Sequence, residues 1–110
     1  MSISTYAQKA VLQYLFGKPG YMSLHTFDPG KDGGNEVGKR QLTNFTISTN
    51  KVTNKDIVEF PDMPKSTITH VGIWDANGNF IWGGSFVKPK SLDEGDTYRV
   101  PNDTLTVVLD

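Results

Sequence analysis

The sequence predicts a mainly β protein: an antiparallel β-sandwich of about seven short strands, jelly-roll-like, with one N-terminal α-helix. Three observations predict it. Between residues 21 and 109, runs of β-branched and aromatic residues alternate with clusters of Gly, Pro, Asn and Asp. Only residues 5–16 carry a helical period. At the centre, two apolar runs flank Asp75-Ala76-Asn77-Gly78-Asn79, and Asn-Gly between such runs is a strong short-range hairpin signal.

The helix is expected to begin at Ser4 or Thr5, with Thr5 and Gln8 matching a capping box. Ala7, Ala10, Val11, Tyr14 and Leu15 follow the spacing of one buried face. Leu12 and Phe16 fall on the opposite side, where they either lie under a loop or contact a neighbouring molecule. Gly17 suits the position after the last helical turn, and Pro19 forbids continuation.

Residues 21–27 read as a strand closed by Asp28-Pro29-Gly30. Residues 28–38 hold four glycines and one proline and read as turns. Residues 41–49 alternate, with Phe45 and Ile47 inward and Asn44, Thr46 and Ser48 outward. Asn50-Lys51 opens a polar connection, and residues 57–60 form a strand ended by Pro61 and Pro64. In the hairpin, a two-residue turn at Asn77-Gly78 pairs Trp74 with Ile81, Ile73 with Trp82 and Gly72 with Gly83. One face is then core, including Val71, Ile73, Phe80 and Trp82. The other, including Trp74, is apolar but thinned by glycine, so another element can approach it closely. Pro89 ends the second arm, residues 91–96 form an acidic loop, and residues 97–100 pair with 104–109 around Asn102-Asp103. Leu105, Val107 and Leu109 share a face of the last strand.

A length of 110 residues predicts one domain, 1–110. The formal net charge is −1, from 11 basic and 12 acidic side chains, which predicts neither nucleic-acid nor membrane attraction. The absence of cysteine excludes disulfides, thiolate chemistry and Cys-based zinc sites. With no apolar leader visible, the chain is expected to fold in cytoplasm.

Catalysis finds little support. Asp28, Asp32 and Glu36 invite a calcium reading, but their spacing is not that of a calcium loop, and turn chemistry explains them equally well. His25 and His70 lack the spacing of a zinc site, and Gly83-Gly84-Ser85-Phe86 lacks the closing glycine of a nucleophile elbow. The chain is therefore expected to be non-enzymatic, with no catalytic residue, metal or cofactor. Trp74, Trp82, Tyr21 and Tyr98 are the candidates for a sugar-stacking platform, although core packing is the better reading of Trp82.

The order of several motifs is informative. Ser4-Thr5-Tyr6 leads to Leu15-Phe16-Gly17; Leu24-His25-Thr26 and Asp28-Pro29-Gly30 precede Gly33-Gly34-Asn35-Glu36-Val37 and Arg40-Gln41. Thr69-His70-Val71-Gly72-Ile73-Trp74-Asp75, Ile81-Trp82-Gly83-Gly84 and Gly95-Asp96-Thr97 follow. This series resembles a family of small bacteriophage virion proteins labelled tail fibre proteins, over nearly the whole chain. Gly38 and Lys39 depart from it, because the family tends to carry an aromatic and a small residue before the arginine.

The resemblance implies a β-sandwich module of the virion, made and assembled in the host cytoplasm, with no catalytic residues. The leading expectation is a capsid decoration or cement protein bound to the major capsid protein. The alternatives are a tail fibre or baseplate-associated module, or a lectin-like host-binding module. Homo-oligomers or multiple copies per particle are expected, with other virion proteins as partners. The candidate interface residues are Leu12, Phe16, Asn35, Glu36, Arg40 and Trp74.

Overall fold

A computed structural model of the chain describes residues 3–109. Among these it forms helix α1 (Thr5–Phe16) and nine strands: β1 (Gly20–His25), β2 (Glu36–Thr43), β3 (Phe45–Ser48), β4 (Lys51–Asn54), β5 (Val58–Met63), β6 (Ser66–Trp74), β7 (Phe80–Leu92), β8 (Asp96–Val100) and β9 (Thr106–Val108). Every pairing is antiparallel. The sheets have the orders β2-β1-β6-β7, β3-β4-β9 and β5-β8. Over the described residues the fold is mainly β and sandwich-like, with one helix and no closed barrel.

The helix spans the expected residues but presents the opposite face. Ser4 is the cap, its Oγ accepting from the Ala7 N–H at 3.1 Å. Leu12 and Phe16 are buried, at 2% and 3% exposure, whereas Tyr6 and Tyr14 stand 84% and 89% exposed. The surface role assigned to Leu12 and Phe16 is thereby corrected. Gln8, Leu12, Leu15 and Phe16 also follow helical spacing, and this stripe carries more removable apolar area than one containing Ala7 and Ala10. Helix α1 packs on β3 and β4. The Phe16 ring meets Phe45 edge-on at 5.1 Å, and the Gln8 side-chain amide donates to the Leu109 carbonyl. Gly17 ends the helix with φ −70°, so no left-handed residue is used there.

Two stretches read as connections are strands. Residues 36–38, the end of the expected turn region, start β2. Lys51–Asn54 is β4, joined to β3 through Thr49-Asn50, with Ser48 facing Lys51. Val52 and Asn54 of β4 are buried. Asn54 explains how a polar residue survives there: its Nδ2 donates to the carbonyls of Asp56 and Pro101, and its Oδ1 accepts from the backbone N–H groups of Thr104 and Leu105. These bonds anchor the β8–β9 connection to β4. The two last strands, expected to pair with each other, instead separate: β8 pairs with β5 and β9 with β4. The shared inward face of Leu105, Val107 and Leu109 is present.

The hairpin keeps its register below the tip, with Gly72 opposite Gly83 and Ile73 opposite Trp82. At the tip, Trp74 pairs with Phe80 rather than Ile81. Gly78 adopts φ +85°, its N–H bonds the Asp75 carbonyl, and Asp75 Oδ1 accepts from the backbone of Asn77 and Asn79. The aspartate stabilises a five-residue loop in place of the two-residue turn. The Asn79 side chain, donating to Asp75 Oδ2, together with the backbone bonds, holds the Asp75 carboxyl below its ordinary pKa. The change in register moves Phe80 onto the face of Trp74, where the rings meet at 5.0 Å.

Pro89 does not end β7. The register slips between Ile68 and His70, and pairing resumes at Ile68 with Lys90. Pro89 lies in that irregular segment, where its missing N–H breaks no ladder bond. Leu92 is consequently a buried core residue at the end of the strand.

Leu12→Ala is expected to lower unfolding stability by about 2–5 kcal/mol, measured by urea denaturation. Tyr14→Ala, on the outward side, is expected to stay within about 0.5 kcal/mol of the parent. The opposite ranking would reverse the helix orientation.

Candidate interaction surface

Alternation gives the four-stranded sheet two distinct faces. Met22 and Leu24 of β1, with Val71 and Ile73 of β6, enter the main core. Ser23 and His25, with Gly72 and Trp74, face the other way. This second face is covered by the segment between β1 and β2. Glycines leave room: a Cβ on Gly83 would lie 2.6 Å from Pro29 Cγ of the covering segment, and one on Gly72 2.6 Å from Ser23 Oγ on the neighbouring strand. A Cβ on Gly33 would lie 2.5 Å from the Trp74 ring.

A directed polar chain runs beneath this cover. The Trp74 indole N–H donates to Ser23 Oγ at 2.8 Å. The hydroxyl lies 2.6 Å from His25 Nε2, and His25 Nδ1 lies 2.7 Å from the Gly34 carbonyl. A carbonyl only accepts, so Nδ1 carries the proton and donates to it. Burial favours the neutral ring, in which Nε2 accepts from Ser23, whose hydroxyl in turn accepts from Trp74. The imidazole is thus a neutral δ-tautomer with both nitrogens engaged. Burial pushes the His25 pKa below its ordinary value; the bond to Gly34 and the Glu36 charge oppose that shift, while His70 and Arg40 add to it.

The loop above is braced by its own backbone. Gly34 N–H bonds the Pro29 carbonyl, Thr26 N–H bonds the Asn35 carbonyl, and Asn35 Nδ2 donates to the Asp28 carbonyl. Asn35 adopts φ +62°, a left-handed conformation that asparagine tolerates. Asp28 Oδ1 accepts from Gly30 N–H, as its turn reading requires. Glu36 pairs with Arg40 through two bonds of 2.9 and 3.2 Å rather than pointing at Asp28. Among the described residues, no three His, Asp or Glu side chains converge closely enough to hold a metal ion.

Arg40 sits in a β2 bulge. Met22 pairs with Gln41 and Leu24 with Val37, which leaves two extra residues on β2, and Gly38 turns there with φ +77°. The bulge places the Arg40 guanidinium 3.4 Å from the Trp74 ring centre. Glu36, Arg40 and Trp74 therefore come together with Asn35 beside them, while Leu12 and Phe16 lie apart in the core under α1. The outside-contact role assigned to Trp74 is corrected, because the residue is only 6% exposed, beneath Arg40 and Gly33. What this corner offers a partner is Arg40, Glu36 and the loop backbone.

Trp82 packs against the main core on the face opposite Trp74, so the two tryptophans do not form one sugar platform. An open cleft of about 420 Å³ lies beside Trp82, Phe86, Val100 and Leu105. Phe86 meets Tyr98 edge-on at 5.8 Å, and burial raises the Tyr98 pKa. Sequence reasoning missed the Ser23–His25 relay, since a serine and a histidine on a strand carry no pattern of their own. Tyr14, expected on the buried face of α1, stands outward instead, as does Tyr6.

The scaffold is sandwich-like, its buried polar groups brace loops, and several large apolar side chains face outward. The chain belongs to the family described as Podophage GP4 fiber I protein gp80, whose model matches residues 2–108. The resemblance to phage fibre-type virion proteins is thereby established. No curated protein matches the chain.

Trp74→Ala is expected to cost about 3–5 kcal/mol in urea unfolding, and Arg40→Ala no more than about 1 kcal/mol. A near-neutral Trp74→Ala would mean that the tryptophan is not a core residue. A second expectation concerns pH. Because the folded pKa of His25 lies below the unfolded value, near 6.5, the unfolded chain takes up the proton first. This contribution to stability is full above about pH 6.5 and declines as pH falls towards the folded pKa. Melting temperatures of the parent should drop across that window more steeply than those of His25→Gln; parallel curves would contradict the relay.

Proposed function

We propose that this chain is a non-enzymatic structural module of the phage fibre apparatus, held against other virion proteins on the tail side of the particle. The observation that carries the reading is the family match over residues 2–108, whose description names a fibre protein. It favours the fibre alternative over the capsid-decoration expectation. The geometry supports a binding role in two ways. The sheet is packed on both faces, so it can carry load without opening. The large outward side chains of the molecule include Tyr6 and Tyr14 on α1, Phe27 after β1 and Leu42 on β2, at 84, 89, 68 and 62% exposure, beyond what a lone surface apolar residue represents. The non-enzymatic reading is supported by His25, whose ring nitrogens are both committed within the fold.

Tail proteins are the proposed partners, in place of the major capsid protein. Arg40 is the proposed anchor of the loop corner, since arginine is enriched among interface hot spots, which cost about 2 kcal/mol or more on truncation. Electron cryomicroscopy of intact particles carrying an epitope-tagged copy, decorated with the matching Fab, tests the location. Density confined to the tail is expected; Fab density over the capsid lattice would return the protein to head decoration. In the same particles, Arg40→Ala should reduce the number of copies retained while leaving the melting temperature of the isolated protein nearly unchanged.

A further inference from the structure

Among the described residues, six strands form the edges of the three sheets, and five of these edges are protected. Strand β2 carries the Gly38 bulge with Lys39 and Arg40. Strand β3 packs against α1, and β9 is three residues long. Strand β5 holds Pro61 and a register slip after Phe60, and β8 carries Asp96 and Arg99. Charge, proline, bulges, short length and covering helices are the means by which proteins protect unpaired edges. Strand β7 is different. It is 13 residues long, it pairs only with β6 among the described residues, and Lys88, Pro89 and Lys90 protect its second half alone. Residues 80–86, Phe-Ile-Trp-Gly-Gly-Ser-Phe, include no charge and no proline.

Burial falls away across one strand step. Val71, Gly72, Ile73 and Trp74 of β6 are all buried, whereas none of residues 80–86 on β7 is, so Phe80, Ile81, Trp82 and Phe86 stay half-buried. In an antiparallel pair, alternate residues direct both backbone groups away from the partner strand, so roughly three or four of these seven residues point N–H and C=O outward. The open cleft of about 420 Å³ adjoins this edge, with Trp82, Ser85, Phe86 and Lys88 of β7 in its lining. We propose that the outer edge of β7, over residues 80–88, is a strand-addition site for an extended segment of another virion protein. Apolar side chains of that segment enter the cleft beside Trp82 and Phe86, and an acidic one meets Lys88. Backbone bonds give strand addition its affinity, and pockets for alternate side chains give it specificity.

Charge selects the occupant. Residues 80–92 include Lys88 and Lys90 but no Asp or Glu, and Lys88 is the one charged residue of the cleft lining among the described residues. A second β7 would bring lysines and no carboxylate, so the complementary strand belongs to a different chain. Seven residues of added strand span about 23 Å. This is a short contact, which strengthens where other contacts already hold the two chains together. The inference rests on the virion-module reading only in placing the segment on another virion protein; it stands whether the particle location is tail or head.

Synthetic peptides of about ten residues, capped at both ends, test the site on the isolated full chain by 15N–1H NMR. One alternates valine with threonine and ends in two glutamates, and a second ends in two lysines instead. A third keeps the glutamates but replaces each threonine by proline, which has no N–H to donate. The glutamate peptide should shift the amide signals of residues 80–88 and bind at least ~10-fold more tightly than the lysine peptide. The proline peptide should not bind. Ser85→Lys, which adds a charge at an exposed position of the edge, should abolish binding with little change in melting temperature. Lys88→Glu should transfer the preference to the lysine peptide. On intact particles, the amides of residues 80–86 should exchange at least ~10-fold more slowly than in the isolated chain. Absent or equal binding of the three peptides, shifts centred elsewhere, unchanged exchange on particles, or β7 paired with β7 of another copy would each overturn the proposal. Fab labelling reads location without reference to β7, so failure of the virion-module reading is separately visible.

Discussion

The polar chain from Trp74 through Ser23 and His25 to the Gly34 carbonyl determines how the four-stranded sheet is covered. These side chains are buried, and each unpaired buried polar group would cost about 1–3 kcal/mol. Among the described residues, no buried side-chain nitrogen or oxygen is left without a partner. Meeting that condition requires one particular carbonyl, that of Gly34, directly above the imidazole. The segment must therefore cross the sheet at contact distance, which is why Gly83 and Gly33 carry no side chain there, while Gly72 leaves room for Ser23 and the His25 ring. Asn35 then turns through the left-handed region so that the chain can re-enter the sheet as β2.

Arg40 completes the arrangement from above. The bulge at Gly38 lifts it out of the ladder, Glu36 orients its guanidinium, and the Trp74 ring receives the flat face. The pair is half open to water, so its contribution to stability is modest. A rigid, half-exposed arginine beside a braced loop nevertheless suits contact with another protein, since little conformational freedom remains to be lost on binding. Asn54 acts in a comparable way, one buried amide tying the β8–β9 connection to β4.

The family match is to a phage fibre protein. The sheets bury their apolar side chains within the chain, and the exposed apolar groups gather on the helix and on loop and strand ends. The helix is consequently apolar on both sides, with one side spent on the fold and the other turned away from it.

That two-sidedness shows where sequence reasoning succeeds and where it stops. Elements set by local chemistry were legible: the span of α1 from its Ser4 cap, the hairpin centred on Gly72 and Gly83, the alternation through Phe45 and Ile47, and the need for cover on both faces of the hairpin. What depended on distant partners was not. Both faces of α1 obey the same 3.6-residue period, and only packing on β3 and β4 favours the larger Leu12 and Phe16 over alanine and tyrosine. Lys51–Asn54 looks polar until Asn54 finds its hydrogen-bond partners some fifty residues away, and Trp74 looks like a surface residue until the loop folds over it. The sequence by itself determined the mainly β class, the helix and the turn positions, because these follow from backbone preferences within a few residues. The tertiary structure alone decided which apolar face was buried, because burial is a competition between surfaces that meet only in the folded chain.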